Sequence, residues 1–240
     1  MKLTFLGTRG EIEGRTRRHR RHSSLLVSYC GAKVMIDCGL DWLGKFEQLH
    51  ADAIVLTHAH PDHAWGLKDG AYCPVHAPQK TWRTLKHCDI EDRRLIKERT
   101  PARICGITFE AFPVEHSILA PAVAYRVSAG RMTIFYAPDL VFIRDRAAAL
   151  KGVQIYIGDG ATLTRSFIRR RGKTLIGHSP VRTQLTWCAK ERVPRAVITH
   201  CGSEIVKGDE RKIGAQLREL AVGCGIEVSI AHDGRELVLH

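Results

Sequence analysis

The chain contains no apolar run near the ~20 residues that span a bilayer, so no transmembrane helix is expected. Its eight cysteines (Cys30, Cys38, Cys73, Cys88, Cys105, Cys188, Cys201 and Cys224) include no C-x-x-C pair. That spacing argues against a structural zinc ribbon and for free thiols in a reducing cytoplasm. The opening Met1-Lys2-Leu3-Thr4-Phe5-Leu6-Gly7 is too short and too soon interrupted for a secretory signal. Repeats, low-complexity tracts and Pro/Gly/Ser linkers are missing, so one domain over residues 1–240 is expected. Acidic residues are scarce: 25 Asp+Glu stand against 37 Lys+Arg, a formal charge of +12. Of those bases 25 are Arg, whose planar fork suits phosphate and carboxylate. A polyanionic partner and a merely solvated Arg-rich surface both fit that balance.

A hydrophobic share of 44% with 26% charged residues is that of a folded protein and excludes wholesale disorder. Patterning predicts strands over 2–6, 24–29, 33–36, 53–56, 104–114, 122–127, 132–136, 154–157, 196–199, 226–230 and 236–239. Helical periodicity covers 140–150, 181–192 and 209–222, the second with Ser179 as N-cap and Pro180 at its first position. Consecutive hairpins with helices between groups of strands predict two sheets with helices packed outside, an α/β class.

The chemistry concentrates in Thr57-His58-Ala59-His60-Pro61-Asp62-His63, directly after the buried run 53–56. In extended backbone, positions two apart point the same way, so His58 and His60 can grip one ion. Pro61 suits the first turn of a helix, which redirects Asp62 and His63 toward a second ion. Imidazole with carboxylate suits zinc, manganese or iron rather than calcium. By chance this His-x-His-x-Asp-His pattern arises in roughly two of a thousand shuffled chains of the same composition.

This stretch resembles the hallmark of the metallo-β-lactamase superfamily, and the resemblance extends over essentially the whole chain. Asp37, in Asp37-Cys38-Gly39, is similar to the family's early aspartate that braces the metal loop. His116, Asp139 and His200 each end a β-like run, in the order in which the family places its remaining ligands. The resemblance implies an αββα four-layer sandwich with two divalent ions at one edge, zinc first among the metals, then manganese or iron. His58, His60 and His116 would hold one ion, Asp62, His63 and His200 the other, with Asp139 bridging. Such a pair gives hydroxide near neutrality and offsets charge on the scissile group, so hydrolysis is the implied reaction.

Within the superfamily, Phe5-Leu6-Gly7-Thr8, Ser23-Ser24-Leu25-Leu26-Val27 and Gly177-His178-Ser179-Pro180 resemble ribonuclease Z and the phosphonate-pathway cyclic phosphodiesterases. Ala231-His232-Asp233-Gly234 is similar to a C-terminal strand of the nuclease branches. His178 precedes a helix start and could protonate a leaving alkoxide; Asp159, ending another strand, could orient it. Arginines 9, 15, 17, 18, 20 and 21 form one cluster and Arg165, Arg169, Arg170, Arg171 and Lys173 a second. The family layout puts both near the metal mouth, where phosphates would be gripped, although two solvated loops would read the same. The inserted arm of ribonuclease Z is not evident and an appended β-CASP domain does not fit, which argues against pre-tRNA 3′ processing. The leading expectation is a cytoplasmic dinuclear phosphodiesterase, a possible homodimer, acting on RNA, DNA or a nucleotide-like diester through a metal-bridging hydroxide, with Asp62, His178 and Asp159 in catalytic roles. A hydrolase of lactones, thioesters or β-lactams is the alternative, and a binding module with a purely structural metal is a third reading.

Overall fold

The computed structural model describes residues 1–239. β1 (Lys2–Gly7), β2 (Ser24–Tyr29) and β3 (Ala32–Ile36) form an antiparallel meander. β4 (Ala53–Val55), β5 (Val75–Ala77) and β6 (Arg93–Leu95) extend it in parallel, with α1 (Pro61–Ala64) and α2 (Gln79–Thr84) between them. The second sheet starts with β7 (Ala102–Ile104), β8 (Ile107–Glu115), β9 (Ala122–Ala129) and β10 (Met132–Ala137), all antiparallel neighbours. β11 (Phe142–Ile143) pairs back onto β8, and α3 (Arg146–Leu150) crosses to β12 (Ile155–Asp159), parallel to β10. A separate hairpin of β13 (Arg169–Arg171) and β14 (Thr174–Ile176) precedes α4 (Val181–Lys190). β15 (Arg195–Thr199), α5 (Ser203–Lys207), α6 (Glu210–Val222) and β16 (Glu227–Ile230) follow, and β17 (Glu236–Val238) returns to pair with β1. The sheet orders are β17-β1-β2-β3-β4-β5-β6 and β11-β8-β9-β10-β12-β15-β16, with β7 also on β8.

Period-2 alternation sorts the side chains into three apolar layers. Val55, Phe109, Tyr125, Ile134, Tyr136, Ile155, Ile157 and Val197 fill the space between the sheets. Their neighbours point outward: Ile54 joins Trp42, Leu67 and Trp82 under α1 and α2. On the other side Phe135, Tyr156, Ala196 and Ile198 meet Leu150, Leu185 and Leu217 of α3, α4 and α6. Two sheets face to face, each covered by helices, make the αββα sandwich. All eight cysteines are free thiols, and no helix among the described residues is long and apolar enough to cross a membrane.

Three local expectations change. The expected strand over 104–114 is a hairpin, because Cys105 and Gly106 adopt φ of 48° and 81° and close a two-residue turn between β7 and β8. The expected helix over 140–150 forms only from Arg146 onward. Its first residues are pulled flat by tertiary partners: Val141 N–H donates to Glu115 O at 2.6 Å and Leu140 N–H to Asp159 Oδ2 at 3.2 Å. At α4, Pro180 is the cap and Ser179 does not cap at all; its hydroxyl donates to Val141 O at 2.7 Å. The remaining elements missed by patterning are short ones, α2, α5, β5, β6, β13 and β14, each six residues or fewer.

The arginine-rich loop after β1 is latched to the turn before β17. Thr8 Oγ1 donates to Asp233 Oδ1 at 2.7 Å and lies 2.8 Å from His19 Nδ1. Asp233 Oδ2 accepts from the backbone N–H of Arg20 at 3.0 Å and of Arg21 at 2.9 Å. Burial, with Arg18 and His232 nearby, pulls His19 down to about 4, and burial beside Arg9 does the same to His22. Unfolded histidines titrate near about 6.5, so between that pH and about 4 the unfolded chain binds more protons. Stability contributed by neutral His19 is therefore present above pH ~6.5 and is lost as pH falls through that window. In metal-stripped protein, urea midpoints at about pH 7.5 and about pH 4.5 should differ less for His19→Gln than for the parent chain. An unchanged gap would show that His19 does not titrate between the two states.

Candidate metal centre

Five strand ends deliver the site. β4 runs through Leu56 into Thr57 and His58, β8 ends before His116, β10 before Asp139, β12 at Asp159 and β15 before His200. Clustering at the carboxyl ends of parallel strands is the usual placement in open α/β sheets, because loops there converge across neighbouring strands. α1 turns the chain after His60, with Pro61 in its first turn, and buries Asp62 and His63. Gly39 lies against it: a Cβ there would fall 1.9 Å from Asp62 O, so only glycine allows the backbones to touch.

Asp37 braces the loop from behind. It is fully buried, with φ of 62°, and accepts from Thr57 N–H at 2.7 Å and from Thr57 Oγ1 at 2.9 Å. His63 Nδ1 donates to its other oxygen at 2.9 Å, which leaves His63 Nε2 facing the site with no partner. His116 Nδ1 faces two acceptors, Asp139 Oδ1 at 2.9 Å and Gly177 O at 3.2 Å, and so carries the proton, leaving its Nε2 as a lone pair. Fixing one ring nitrogen by a hydrogen bond sets the tautomer that a metal requires at the other.

The candidate ligand atoms form two groups. His58 Nε2 and His116 Nε2 approach His60 Nδ1 to 3.0 and 3.2 Å. Asp62 Oδ2 lies 3.2 Å from both His63 Nε2 and His200 Nε2. Asp139 Oδ2 stands between the groups, 3.5 Å from His58 Nε2 and 3.7 Å from both His63 Nε2 and His200 Nε2. Zinc–ligand bonds of about 2.0–2.2 Å set tetrahedral ligand atoms about 3.3 Å apart. These spacings fit one small cation in each group. Buried ring nitrogens aimed at one another, with His63 Nε2 and Asp139 Oδ1 lacking aligned hydrogen bonds, are costly unless a cation lies among them. The structure brings the expected residues together as His58, His60, His116 and Asp139 in one group and Asp62, His63 and His200 in another, and it adds a third, overlapping group of Asp139, Asp159, His178 and His200.

The histidines differ in the charge that their neighbours favour. Burial and His63 hold His58 well below the ordinary range, and burial with His116 takes His60 to about 4, so both keep lone pairs. Burial opposes charge on His63 and His200, yet Asp62 and Asp37 raise the first to about 10, and Asp139, Asp159 and Asp62 raise the second to about 10. Asp62 and Asp139 stay ionised against burial because His63 and His200 face the first and His116, His200 and His178 the second.

His178 and Asp159 adjoin this array. His178 Nδ1 is 2.8 Å from Asp159 Oδ2 and 3.0 Å from Asp139 Oδ1, with the side chain 24% exposed at the cavity wall. Burial disfavours its charge, but Asp159 and Asp139 outweigh burial and lift it to about 11. Sequence reading missed Gln184, which clamps Asp159. Its Oε1 accepts from Asp159 N–H and Tyr156 Oη, both at 3.0 Å, and its Nε2 donates to Asp159 O at 2.7 Å and Ser179 O at 2.9 Å. The signal was available: Gln184 sits on the buried stripe of α4 with Val181, Leu185 and Cys188, where a polar residue needs partners.

The cavity above the array has a volume of about 510 Å³ and is lined by Glu11, Ile12, His60, Phe167, His178 and Glu204 among others. No arginine of the first cluster lines it, which corrects the expectation that this cluster grips substrate at the mouth. Arg9 is buried and pairs with Asp41 at 2.6 Å; Arg15 pairs with the same carboxylate at 3.1 Å. Arg18 pairs with Glu210, and Arg21 stacks 4.3 Å over Trp42. Those four arginines hold the loop. Arg169, Arg170 and Arg171 of the second cluster are exposed on β13 and form no ion pair among the described residues.

A four-layer sandwich with a His/Asp array at its strand ends is the build of the metal-dependent hydrolases. The chain belongs to the beta-lactamase superfamily: residues 32–201 match the family described as the beta-lactamase superfamily domain. Ribonuclease Z of Methanopyrus kandleri is 31% identical over 144 residues, covering 52% of this chain and 49% of that protein, so the match spans about half of that relative's length. Among solved structures, a diphosphatase of the PhnP family superposes with a TM-score of 0.77 at 23% identity, over 100% of this chain and 98% of that one. The short form of human tRNase Z gives 0.66 at 19% identity, over 99% of each chain. At such identities the two structures establish a shared fold.

Removing the brace should loosen the centre without dissolving the core. Asp37→Ala leaves Thr57 N–H and His63 Nδ1 without their acceptor and should weaken divalent-metal affinity by about 10–100-fold. Competition against a chromogenic chelator, with elemental analysis for stoichiometry near two ions per chain in the parent protein, measures this. Unchanged affinity would remove Asp37 from the metal-holding machinery.

Proposed function

We propose that this chain is a dinuclear, metal-dependent phosphodiesterase that acts on nucleic acid, RNA foremost, or on a nucleotide-like diester. The observation carrying the proposal is the His178–Asp159 pair beside the ligand array, a proton donor where a leaving oxygen would emerge. His58, His60 and His116, Asp62, His63 and His200, and Asp139 would hold two divalent ions, which would supply positive charge at a scissile phosphate and a water of lowered pKa.

The remaining work falls to the chain itself. Asp159 occupies His178 Nδ1, so Nε2 is the nitrogen left to deliver a proton. The Asp159 carboxylate 2.8 Å from Nδ1 favours the protonated ring, the form in which His178 acts as the acid. Such proton donation contributes typically about 10²–10⁴-fold for a poor leaving group. Gln184 holds Asp159 and thereby positions the pair. Support also comes from the relatives, which carry the names ribonuclease Z, diphosphatase and tRNase Z. A thioester, whose thiolate departs unaided, gives such a donor less to do.

Two measurements test this reading. His178→Ala should slow cleavage of diesters with alkoxide leaving groups by about 10²–10⁴-fold, while nitrophenolate diesters lose far less and metal content stays the same. Equal losses on both substrates would move His178 from proton donation to scaffolding. Replacing Arg169, Arg170 and Arg171 by Gln should flatten the salt dependence of polynucleotide cleavage by up to about two units of log–log slope, at about 0.7 per lost phosphate contact. A small diester should lose little. Identical salt profiles for parent and variant would confine the substrate to the cavity.

A further inference from the structure

We propose that Phe167 forms one wall of a slot for a flat aromatic ring, a nucleobase, beside the metal centre, which makes it a specificity determinant; this rests on the phosphodiesterase reading. Phe167 is 41% exposed and Ile168 38%, on a segment that contributes Phe167 to the same cavity as His60, His116, Asp139 and His178. A large apolar side chain left open inside the cavity that holds the candidate ligands is surface that a bound molecule can cover. Arg165 stands over the ring at 5.5 Å and takes one face by a cation–π contact, so the other face is the one left for a ligand. Ile12 and Pro61 add apolar surface to the cavity, whose floor is imidazole and carboxylate.

The segment is also fixed relative to the proton donor. Gly177, the residue before His178, has φ of 107°, and a Cβ there would fall 2.0 Å from Phe167 O. Only glycine lets the Phe167 backbone lie against it. The same Gly177 carbonyl accepts from His116 Nδ1, so ring wall, donor and candidate ligand share one rigid junction. A substrate with its phosphate over the ligand array and a base one sugar away meets Phe167. Stacking of a base on an aromatic side chain is worth roughly 5- to 100-fold in affinity and tolerates any base.

Titration calorimetry of metal-loaded protein with AMP and with ribose 5-phosphate isolates the ring from the phosphate. The parent chain should bind AMP roughly 5- to 100-fold more tightly than ribose 5-phosphate. Phe167→Ala should erase that gap by weakening AMP alone, and Phe167→Tyr should keep it. Equal binding of the two ligands by the parent chain, or a gap that survives in Phe167→Ala, would overturn the slot. Dinucleotide cleavage is scored in parallel: a chain that shows the Phe167-dependent gap but cleaves no diester retains the slot and loses the phosphodiesterase reading.

Discussion

Four buried carboxylates govern this architecture. Asp37, Asp62, Asp139 and Asp159 are each 4% exposed or less, and an ionised carboxylate out of water is expensive unless partners surround it. Every element near the site can be understood as supplying those partners. Thr57 and His63 serve Asp37; His63 and His200 serve Asp62; Ala161 N–H, Leu140 N–H and His178 serve Asp159. Asp139 has ring nitrogens around it but no aligned hydrogen bond at Oδ1, and this is the carboxylate that stands between the two candidate ligand groups.

That constraint explains why the sheets are arranged as they are. Parallel pairing of β3 with β4 and of β10, β12 and β15 with one another brings several strand ends to one edge. Apolar side chains alternate on both faces of these strands, so the strands are held rigidly and only their ends remain free to carry polar groups. Gly39 and Gly177 then permit backbone contacts that no other residue allows, one behind Asp62 and one beside His178. The site is built by strand ends and locked by loops.

Acid–base function follows from how unequal the environments are. His58 and His60 are pushed toward neutrality by burial and by neighbouring imidazoles, whereas His178 sits between two carboxylates and remains protonated. Carboxylates favour charge on His63 and His200 in the same way, so the histidines divide by whether imidazoles or carboxylates surround them. The basic charge divides too. Arg9, Arg15, Arg18 and Arg21 are used inside the N-terminal loop, whereas Arg17, Arg20 and the arginines of β13 are exposed and form no ion pair among the described residues.

The linear sequence by itself pointed to the candidate ligands, most of the principal strands and the two-sheet class. His-x-His-x-Asp-His after a buried strand is local chemistry, and a strand's apolar alternation is visible without any fold. His178 and Asp159 were legible as well, His178 just before the helical run 181–192 and Asp159 just after the strand 154–157. Only the tertiary structure decided three other matters. The 140–150 segment becomes β11 and a short α3 because Glu115 and Asp159, distant in sequence, capture its first backbone groups. Gln184 gains its role from the two carbonyls, one N–H and one hydroxyl that the fold places around it. Arginines 9 to 21 look like a phosphate grip in sequence, where their partners Asp41, Trp42 and Glu210 lie too far along the chain to be seen. Hydrogen bonds and ion pairs between residues remote in sequence leave no periodic trace, so their outcome exists only once the chain has closed on itself.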